Sequence, residues 1–335
     1  MNYHVIWFIL WGVLWAAYFM LDGFDLGAGI LYPFLGRDEA QKAAIRGSIG
    51  PVWDGNEVWL VTAGGATFAA FPAAYARLFS ELYLAMLLIL FGLIFRGVSL
   101  EFRSKGESPG WKRLWDGGFF LGSLVSALLF GVAFGNLFRG LPLDAQGYHG
   151  TLFTLLNPYG LLTGLLFVLL FLVHGSLWIA LRGGDDLREK SARLAGSAWY
   201  GLVAAAAAFL AWSFLGTRLG DNYLERPVLT AVPVLGLLSL ISTRVGISRR
   251  RLPAAFVSSC ATIVLLVAAG LIGIFPNLIP SRLDPGYSLT IYNASSSAST
   301  LKVMTIVALT FVPVVVAYQV WVFRVFRTKS AGNIY

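Results

Sequence analysis

The chain is poor in cysteine, histidine and charged residues, and each shortage excludes a class of function. Its 335 residues include one cysteine and three histidines, and Asp, Glu, Lys and Arg together make up 13% of the chain. Soluble domains usually carry about 25% charged residues. The single Cys260 excludes an internal disulfide and a thiolate cluster for a metal. Glycine-rich phosphate-binding motifs are also missing, so the sequence gives no support for soluble nucleotide chemistry.

Apolar residues dominate the remainder, at 57% of the chain with a mean hydropathy of +0.73. Many apolar runs exceed the roughly 18 residues that indicate a transmembrane helix. The sequence therefore predicts an all-α polytopic integral membrane protein with bundle-like packing. We expect a single membrane domain over 1–335, with a weak division into the halves 1–140 and 157–335. The first span lacks a basic leading segment, so we expect it to be retained instead of cleaved as a signal peptide. Nine spans are predicted, at 4–33, 51–71, 76–97, 116–138, 157–181, 195–216, 227–244, 253–275 and 301–325.

The basic residues predict the orientation of these spans. With the N-terminus outside, nineteen of the 25 Lys and Arg residues fall on the cytoplasmic side and six fall outside. Cytoplasmic loops of membrane proteins carry such an excess. We therefore expect the N-terminus outside and the C-terminus in the cytoplasm. The same bias accounts for the net charge of +8, which then gives no reason to expect a nucleic-acid partner.

Two acidic stretches near the start of the chain interrupt the apolar pattern. DGFDLGAG at 22–29 contains Asp22 and Asp25, and PVWDGNEVW at 51–59 contains Asp54 and Glu57. A spacing of three residues sets each pair on one face of a helix. Ionisable side chains are costly within a membrane, and by default they indicate a functional site.

The predicted topology brings these acids to one depth. Asp22 and Asp25 lie past the midpoint of span one, toward the cytoplasm, while Asp54 and Glu57 lie in the first two turns of span two. Arg96 ends span three at the same face. We expect the three spans to be neighbours because short loops join them. Carboxylates grouped within a membrane commonly relay protons, so a polar path from the cytoplasm is the functional hypothesis.

Structural roles are open alternatives for the residues of span two. Asp54 and Glu57 lie near the start of a helix, where their charge would complement the helix dipole. Trp53 and Trp59 flank them and have the chemistry of aromatic residues at a membrane–water interface.

Structural roles are also open for the residues of span one. Asp22 could serve only to neutralise Arg96 near the interface. Asp25 could bond to backbone loosened by Gly23 and Gly27. A purely structural role for all four carboxylates at once is a weaker explanation than a structural role for any single one of them.

Histidine is scarce within the spans, because His4 and His149 fall at the outer side and only His174 lies inside a span. Haem and metal sites in helical bundles usually draw ligands from several facing helices. One intramembrane histidine cannot form a bis-histidine haem site. A single axial ligand stays open, and a packed or lipid-facing residue is the favoured interpretation.

At its acidic stretches the chain resembles subunit II of the cytochrome bd-type quinol oxidases. The element WDGNEVWL followed by TAGGA is highly specific to that family. Its long run without insertions also resembles the cyanide-insensitive branch. The similar segments occur in family order: DGFDLGAGIL at 22–31, GSIGPVWDGNEVWLVTAGGATFAAFPAAYA at 47–76, FRGVSLEFRSK at 95–105, GVAFGNL at 131–137, LNPYGLLTG at 156–164 and SLTIYNASSS at 288–297.

The resemblance implies a terminal oxidase complex in the bacterial cytoplasmic (inner) membrane. Subunit I of such complexes carries two haems b and one haem d, or haem b only, and the quinol site. Subunit II usually carries none of these, and small accessory transmembrane subunits occur. The complex oxidises quinol, reduces oxygen to water and takes its protons from the cytoplasm. Subunit II is thought to supply part of that proton path and an apolar route for oxygen.

The resemblance also assigns residues. The family's acids match Asp22, Asp25 and Asp54, and its arginine at the end of span three matches Arg96. Trp53 matches the tryptophan before the acid, and Trp59 matches a residue near the oxygen route. Glu57 stands where family members have Glu or Gln. Some members hold a quinone in subunit II as a structural filler.

Two other functions compete with the oxidase subunit. A secondary transporter would use the same carboxylates to couple to protons or another cation. Transporters often contain inverted repeats around a midplane site, whereas this chain has no clear repeat and its acids lie off the midplane. A scaffold subunit would use the carboxylates only to anchor its partner.

Overall fold

A computed structural model describes residues 2–326, which are mostly helical. Three short 3₁₀ turns, at Arg103–Lys105, Pro227–Thr230 and Pro285–Tyr287, interrupt the helical pattern. Within this part of the chain the helices are α1 (Tyr3–Leu35), α2 (Glu39–Ile49), α3 (Trp53–Ala70), α4 (Pro72–Glu81), α5 (Tyr83–Phe102), α6 (Pro109–Arg139), α7 (Leu152–Leu155), α8 (Pro158–Arg182), α9 (Asp185–Gly216), α10 (Asp221–Glu225), α11 (Ala231–Ser248), α12 (Leu252–Ile274) and α13 (Ala298–Val325).

Eight helices of the described chain are long and apolar enough to cross a membrane: α1, α5, α6, α8, α9, α11, α12 and α13. A ninth span is obtained if α3 and α4 are counted as one broken span, bent by 118°. The predicted start of span three at residue 76 is wrong, because residues 76–81 belong to α4 and α5 begins at Tyr83. Pro72 explains the break, since proline removes a backbone donor and stops a continuing helix.

Local sequence signals set several helix starts. Asn157 precedes Pro158 at the start of α8, and its side chain accepts a hydrogen bond from the Gly160 backbone. Ser108 precedes Pro109 in the same way at α6 and accepts from the Trp111 backbone. A capping side chain followed by proline satisfies the orphan donors of the first turn and fixes its backbone.

The bundle is centred on α1 and α8, which pack against each other. α1 also packs against α3, α6 and α12, while α8 packs against α6 and α9. The two central helices touch backbone to backbone, because a Cβ added at Gly27 would lie 1.9 Å from the Phe171 carbonyl oxygen. Small residues permit such close crossings in membrane bundles.

A second close crossing joins α5 to α6. A Cβ added at Gly122 would lie 2.6 Å from the Gly92 carbonyl oxygen and 2.7 Å from the Arg96 backbone nitrogen. Residue 122 therefore has to be small for Arg96 to keep its position. This contact fixes the backbone from which the arginine enters the bundle.

Two loops predicted to share the outer face form one joined cap. The hairpin of β1 (Leu143–Asp144) and β2 (Gly147–Tyr148) lies beside the pair β3 (Asn277–Ile279) and β4 (Leu289–Thr290). The Leu141 backbone nitrogen donates to Pro280 O at 2.8 Å, and Ser281 Oγ donates to Leu143 O at 2.6 Å. The two loops therefore lie at the same end of the molecule.

The opposite end carries the amphipathic helix α2 and a network of ion pairs. Lys42 lies 2.7 Å from Asp116, and Arg103 pairs with both Asp116 and Glu39. The hydrogen bond from Arg103 lowers the pKa of Glu39. These ion pairs tie α2 to α6 and to the turn that follows α5. Arg327 and Lys329, two of the nineteen basic residues counted for the cytoplasmic side, lie outside the described residues.

Candidate functional site

Arg96 forms the centre of a buried ion cluster between α1, α3 and α5. Its Nη2 donates to Asp22 Oδ1 at 2.8 Å and to Glu57 Oε1. The side chains of Arg96 and Asp22 are fully buried, while that of Glu57 is 25% exposed. Three residues from separate predicted spans therefore meet. Close pairing is what offsets part of the large cost of removing these charges from water.

Asp25 lies one helical turn beyond Asp22 and has different partners. Asn56 Nδ2 donates to Asp25 Oδ2 at 2.8 Å and to the Leu21 carbonyl at 3.2 Å. Gln319 of α13 donates to Asn56 Oδ1 at 3.0 Å. Asp25 is 1% exposed. A chain of amide groups therefore links α13 and α3 to a buried carboxyl on α1.

Several polar atoms of this cluster are buried without a hydrogen-bond partner among residues 2–326. They are Tyr18 Oη, Asp22 Oδ2, Asp25 Oδ1, and Nε and Nη1 of Arg96. Buried polar atoms in proteins are nearly always hydrogen-bonded, so each such group calls for water, an ion or another chain. Their concentration at one point marks this cluster as the candidate functional site.

Asp54 stands apart from the buried cluster. It is exposed in the first turn of α3, three residues before Glu57. Its neighbour Trp53 is partly buried and packs on α5, where its ring carbons lie 3.2 Å from the position of a Cβ on Gly97. The structure thus places Asp54 at the surface end of α3, whereas the other three predicted acids belong to the buried cluster.

The interpretation of Asp25 as a residue bonded to loosened backbone is wrong. α1 is continuous through Gly23 and Gly27, and the partner of Asp25 is the Asn56 side chain. The two glycines instead face α8, where added Cβ atoms would meet the Phe171 ring and the Phe171 carbonyl. They provide helix packing, not backbone freedom. The interpretation of Asp22 as a partner of Arg96 agrees with the geometry.

A large apolar cavity of about 390 Å³ is lined by residues of α1, α3, α4, α5, α6 and α7. It begins within one helical turn of the cluster, because Leu60 and Leu93 are each three residues from a cluster side chain. Its walls include Trp11, Trp15, Leu60 and Val61. Trp59 is partly buried and packs against the main apolar core, but the cavity wall is formed by its neighbours in sequence. Such a space admits small apolar molecules more readily than polar ones.

His174 is a packed core residue. Its Nδ1 lies 2.7 Å from Ser259 Oγ and its Nε2 lies 2.9 Å from the Met20 carbonyl. Its ring stacks on Phe256 at a centroid distance of 4.7 Å. With both ring nitrogens engaged, the residue does not fit an axial haem ligand. Within residues 2–326, no group of three or more His, Cys, Asp or Glu side chains is arranged to hold a metal ion.

Asn56 and Gln319 are site residues that the sequence reasoning missed. Both are uncharged polar residues within apolar helices, and such residues commonly hydrogen-bond across helices in membranes. That signal was available in the sequence. Their pairing was not, because 263 positions separate them.

Fold and site together define a multi-pass helical membrane protein with a buried carboxyl–guanidinium cluster. Residues 3–326 match the family described as cytochrome bd terminal oxidase subunit II. The chain therefore belongs to the cytochrome bd terminal oxidase subunit II family, as the sequence motifs predicted. It is a subunit of an oxidase complex.

Relatives with known names agree with this assignment. Cytochrome bd ubiquinol oxidase subunit 2 of Bacillus subtilis (strain 168) is 38% identical over 328 residues, covering 97% of this chain and 96% of that protein. Cytochrome bd-I ubiquinol oxidase subunit 2 of Escherichia coli (strain K12) is 36% identical over 348 residues, covering 94% and 92%. The expectation of a quinol oxidase component is confirmed.

The fold also matches a solved structure. A chain in the structure of bd oxidase from Geobacillus thermodenitrificans superposes with a TM-score of 0.80 at 18% sequence identity. The match covers 97% of this chain and 99% of that chain. The predicted all-α membrane fold is confirmed, while the count of nine spans and their orientation stay predictions.

Proposed function

We propose that this chain is the haem-free second subunit of a quinol:oxygen oxidoreductase and supplies part of its cytoplasmic proton path and oxygen access. Relatives named as ubiquinol oxidase subunit 2 support the reaction. Quinol and oxygen are then the substrates of the complex, and a haem-bearing subunit I is the partner. The expected haems are b and d, or b only, on that partner, in a bacterial inner membrane.

The observation that carries the proton path is the composition of the buried cluster. Asp22, Asp25 and Glu57 supply three carboxyl groups, while Arg96 supplies one guanidinium. If every carboxyl were ionised, the cluster would hold net negative charge away from water, which is costly. Taking up a proton offsets part of that charge. A group that gains and loses a proton at this point has the property that a relay requires.

The arrangement suggests an order for proton transfer. Asp54 is exposed and would collect protons at the entrance, with Trp53 fixing the start of α3 against α5. Glu57 is partly exposed and would receive them next. Asp22 and Asp25 are buried and would pass them toward the partner subunit through water or partner groups at their unpartnered oxygens.

Oxygen access rests on the apolar cavity beside the cluster. Its lining is almost entirely hydrocarbon, which suits a small apolar molecule. Trp59 lies next to two lining residues, Leu60 and Val61, and would shape the cavity indirectly. The same lining chemistry would accept the tail of a structural quinone.

The test is oxygen consumption with quinol by the purified complex. We expect Asp25→Asn and Asp54→Asn each to lower turnover at least about tenfold while haem content stays normal, because an amide cannot carry the proton. Glu101→Gln is the matched control, since it removes an exposed carboxyl that lies outside the cluster, near the end of α5 that carries Arg96. Unchanged turnover in both aspartate variants would rule out the relay.

The same variants separate the rival functions. If Asp25→Asn abolishes recovery of the haem-bearing partner, the carboxylates serve as a scaffold. If the purified chain carries no haem-bearing partner and moves protons or another cation into liposomes, the transporter is correct. Absorption spectra before and after dithionite record the partner directly.

A further inference from the structure

A cavity of about 660 Å³ lies between the start of α9 and the end of α11, and no residue of the carboxylate cluster lines it. Four arginines line it: Arg188, Arg193, Arg244 and Arg250. Asp185 and Glu189 also lie on its wall. We propose that this cavity binds the phosphate headgroup of an anionic phospholipid. The proposal is independent of the proton path, because none of these residues belongs to it.

The arginines are available to a ligand. Within residues 2–326 none of the four takes part in an ion pair, although two carboxylates lie on the same wall. Arg188, Arg193 and Arg250 are exposed, and Arg244 is partly buried. The four arginines outnumber the two carboxylates on the wall, so a bound anion would reduce the repulsion among like charges. Arginine offers planar paired donors that suit phosphate oxygens.

Arg244 is held in place at the cavity. Its guanidinium lies over the Tyr200 ring at 5.2 Å, and its Nη2 donates to Tyr200 Oη at 3.1 Å. The side chain crosses α9 at Gly196, where an added Cβ would lie 3.3 Å from Nη1. Fixing an arginine in advance reduces the entropy lost when it binds an anion.

Arg250 occupies the tight turn between α11 and α12. Its φ is +54°, an uncommon value for a residue with a side chain, and its backbone nitrogen donates to Ile247 O at 3.0 Å. The turn brings this side chain back toward α9, so that arginines from two segments of the chain face one space.

The surroundings favour a lipid over free phosphate. The outer face of α11 exposes Leu238, Ile241 and Val245 in a stripe that leads toward Arg244 and the cavity. Acyl chains can lie along such a stripe while the phosphate reaches the arginines. Basic pockets between membrane helices, on the face predicted to be cytoplasmic, are known to suit anionic headgroups.

The test is native mass spectrometry of the detergent-purified oxidase complex titrated with phosphatidylglycerol, phosphatidylethanolamine or inorganic phosphate. We expect phosphatidylglycerol to bind in preference to phosphatidylethanolamine. The double variant Arg193→Gln/Arg244→Gln should weaken that binding roughly twentyfold. Lys105→Gln/Arg113→Gln is the matched control, since it removes two exposed charges at the same end of the molecule outside the cavity.

Wild-type phosphatidylglycerol binding in the double variant would overturn the proposal. So would inorganic phosphate that displaces the lipid at equal concentration, because the site would then be one for free phosphate. If the double variant is not recovered as an assembled complex, Arg193→Gln alone provides the comparison, because this side chain is exposed and should tolerate replacement. Oxygen consumption is measured alongside, so loss of lipid binding is separated from loss of proton supply.

Discussion

At the residue scale, Arg96 has the largest influence on the site. It contributes the positive charge that offsets Asp22 and Glu57, and it does so from a fully buried position. Removing one partner of a buried ion pair leaves an uncompensated charge and costs about 3–5 kcal/mol. Removing Asp22 together with Arg96 costs less than removing Arg96 alone, since only Glu57 is then left without its cation.

These values give a prediction for two variants. Arg96→Gln should lower the thermal unfolding midpoint of the purified complex strongly, because Asp22 and Glu57 lose their cation. Arg96→Gln combined with Asp22→Asn should recover part of that loss. The check is a thermal unfolding series in detergent. Equal midpoints for the single and double variants would mean that the two side chains are not energetically coupled.

At the element scale, close helix crossings depend on glycine. Gly175 of α8 faces Gly27 of α1, and a Cβ added at Gly175 would lie 2.6 Å from the Gly27 carbonyl carbon. Backbone atoms cannot move aside to make room for an added Cβ as the end of a flexible side chain can. The α1–α8 crossing in turn positions Asp22 and Asp25 relative to the other helices.

We therefore predict that Gly175→Ala destabilises the complex by about 1–3 kcal/mol, the usual cost of overpacking. Gly201→Ala on α9 is the control, because its Cβ would meet only Leu169 side-chain carbons at 3.6 and 3.8 Å. Replacing a helical glycine where there is space gains up to about 1 kcal/mol. Thermal unfolding midpoints distinguish the two, and similar midpoints would contradict the close crossing.

At the scale of the whole molecule, the two ends differ in character. One end carries the joined cap of the 139–156 and 276–300 loops, and the other carries α2 with its ion pairs and the arginine-lined cavity. In the cap, the hydrogen bond from His149 holds the pKa of Asp144 below its ordinary value. The cap is predicted to face outward and the basic end to face the cytoplasm.

Cysteine labelling tests that orientation. In a Cys260→Ser background, which removes the native thiol, Tyr292→Cys in the cap should react with an impermeant maleimide on spheroplasts, whose outer membrane has been removed. Arg113→Cys at the other end should react only after the cytoplasmic membrane is opened. Both positions are exposed on this chain, so each can react with a maleimide that reaches its side of the membrane. The reverse labelling pattern would invert the topology and place the proton entrance outside.

The helical membrane fold and the family could both be predicted from the amino-acid sequence. Each crossing helix satisfies its own backbone hydrogen bonds, so a run of apolar residues is sufficient to identify it. Asp22, Asp25, Glu57 and Arg96 were also predicted from sequence as candidate site residues, because charge within an apolar span is conspicuous at any position. The WDGNEVWL element carried the family assignment.

The contacts between distant residues, by contrast, became visible only in the folded chain. Four features depend on how the helices cross: the Asn56–Gln319 contact, the bend at Pro72 between α3 and α4, the joining of the two cap loops, and the grouping of arginines from α9 and α11. Those crossings follow from close packing at positions such as Gly27 and Gly122. Apolar periodicity does not specify them, because lipid and a neighbouring helix offer a membrane helix nearly the same apolar surroundings.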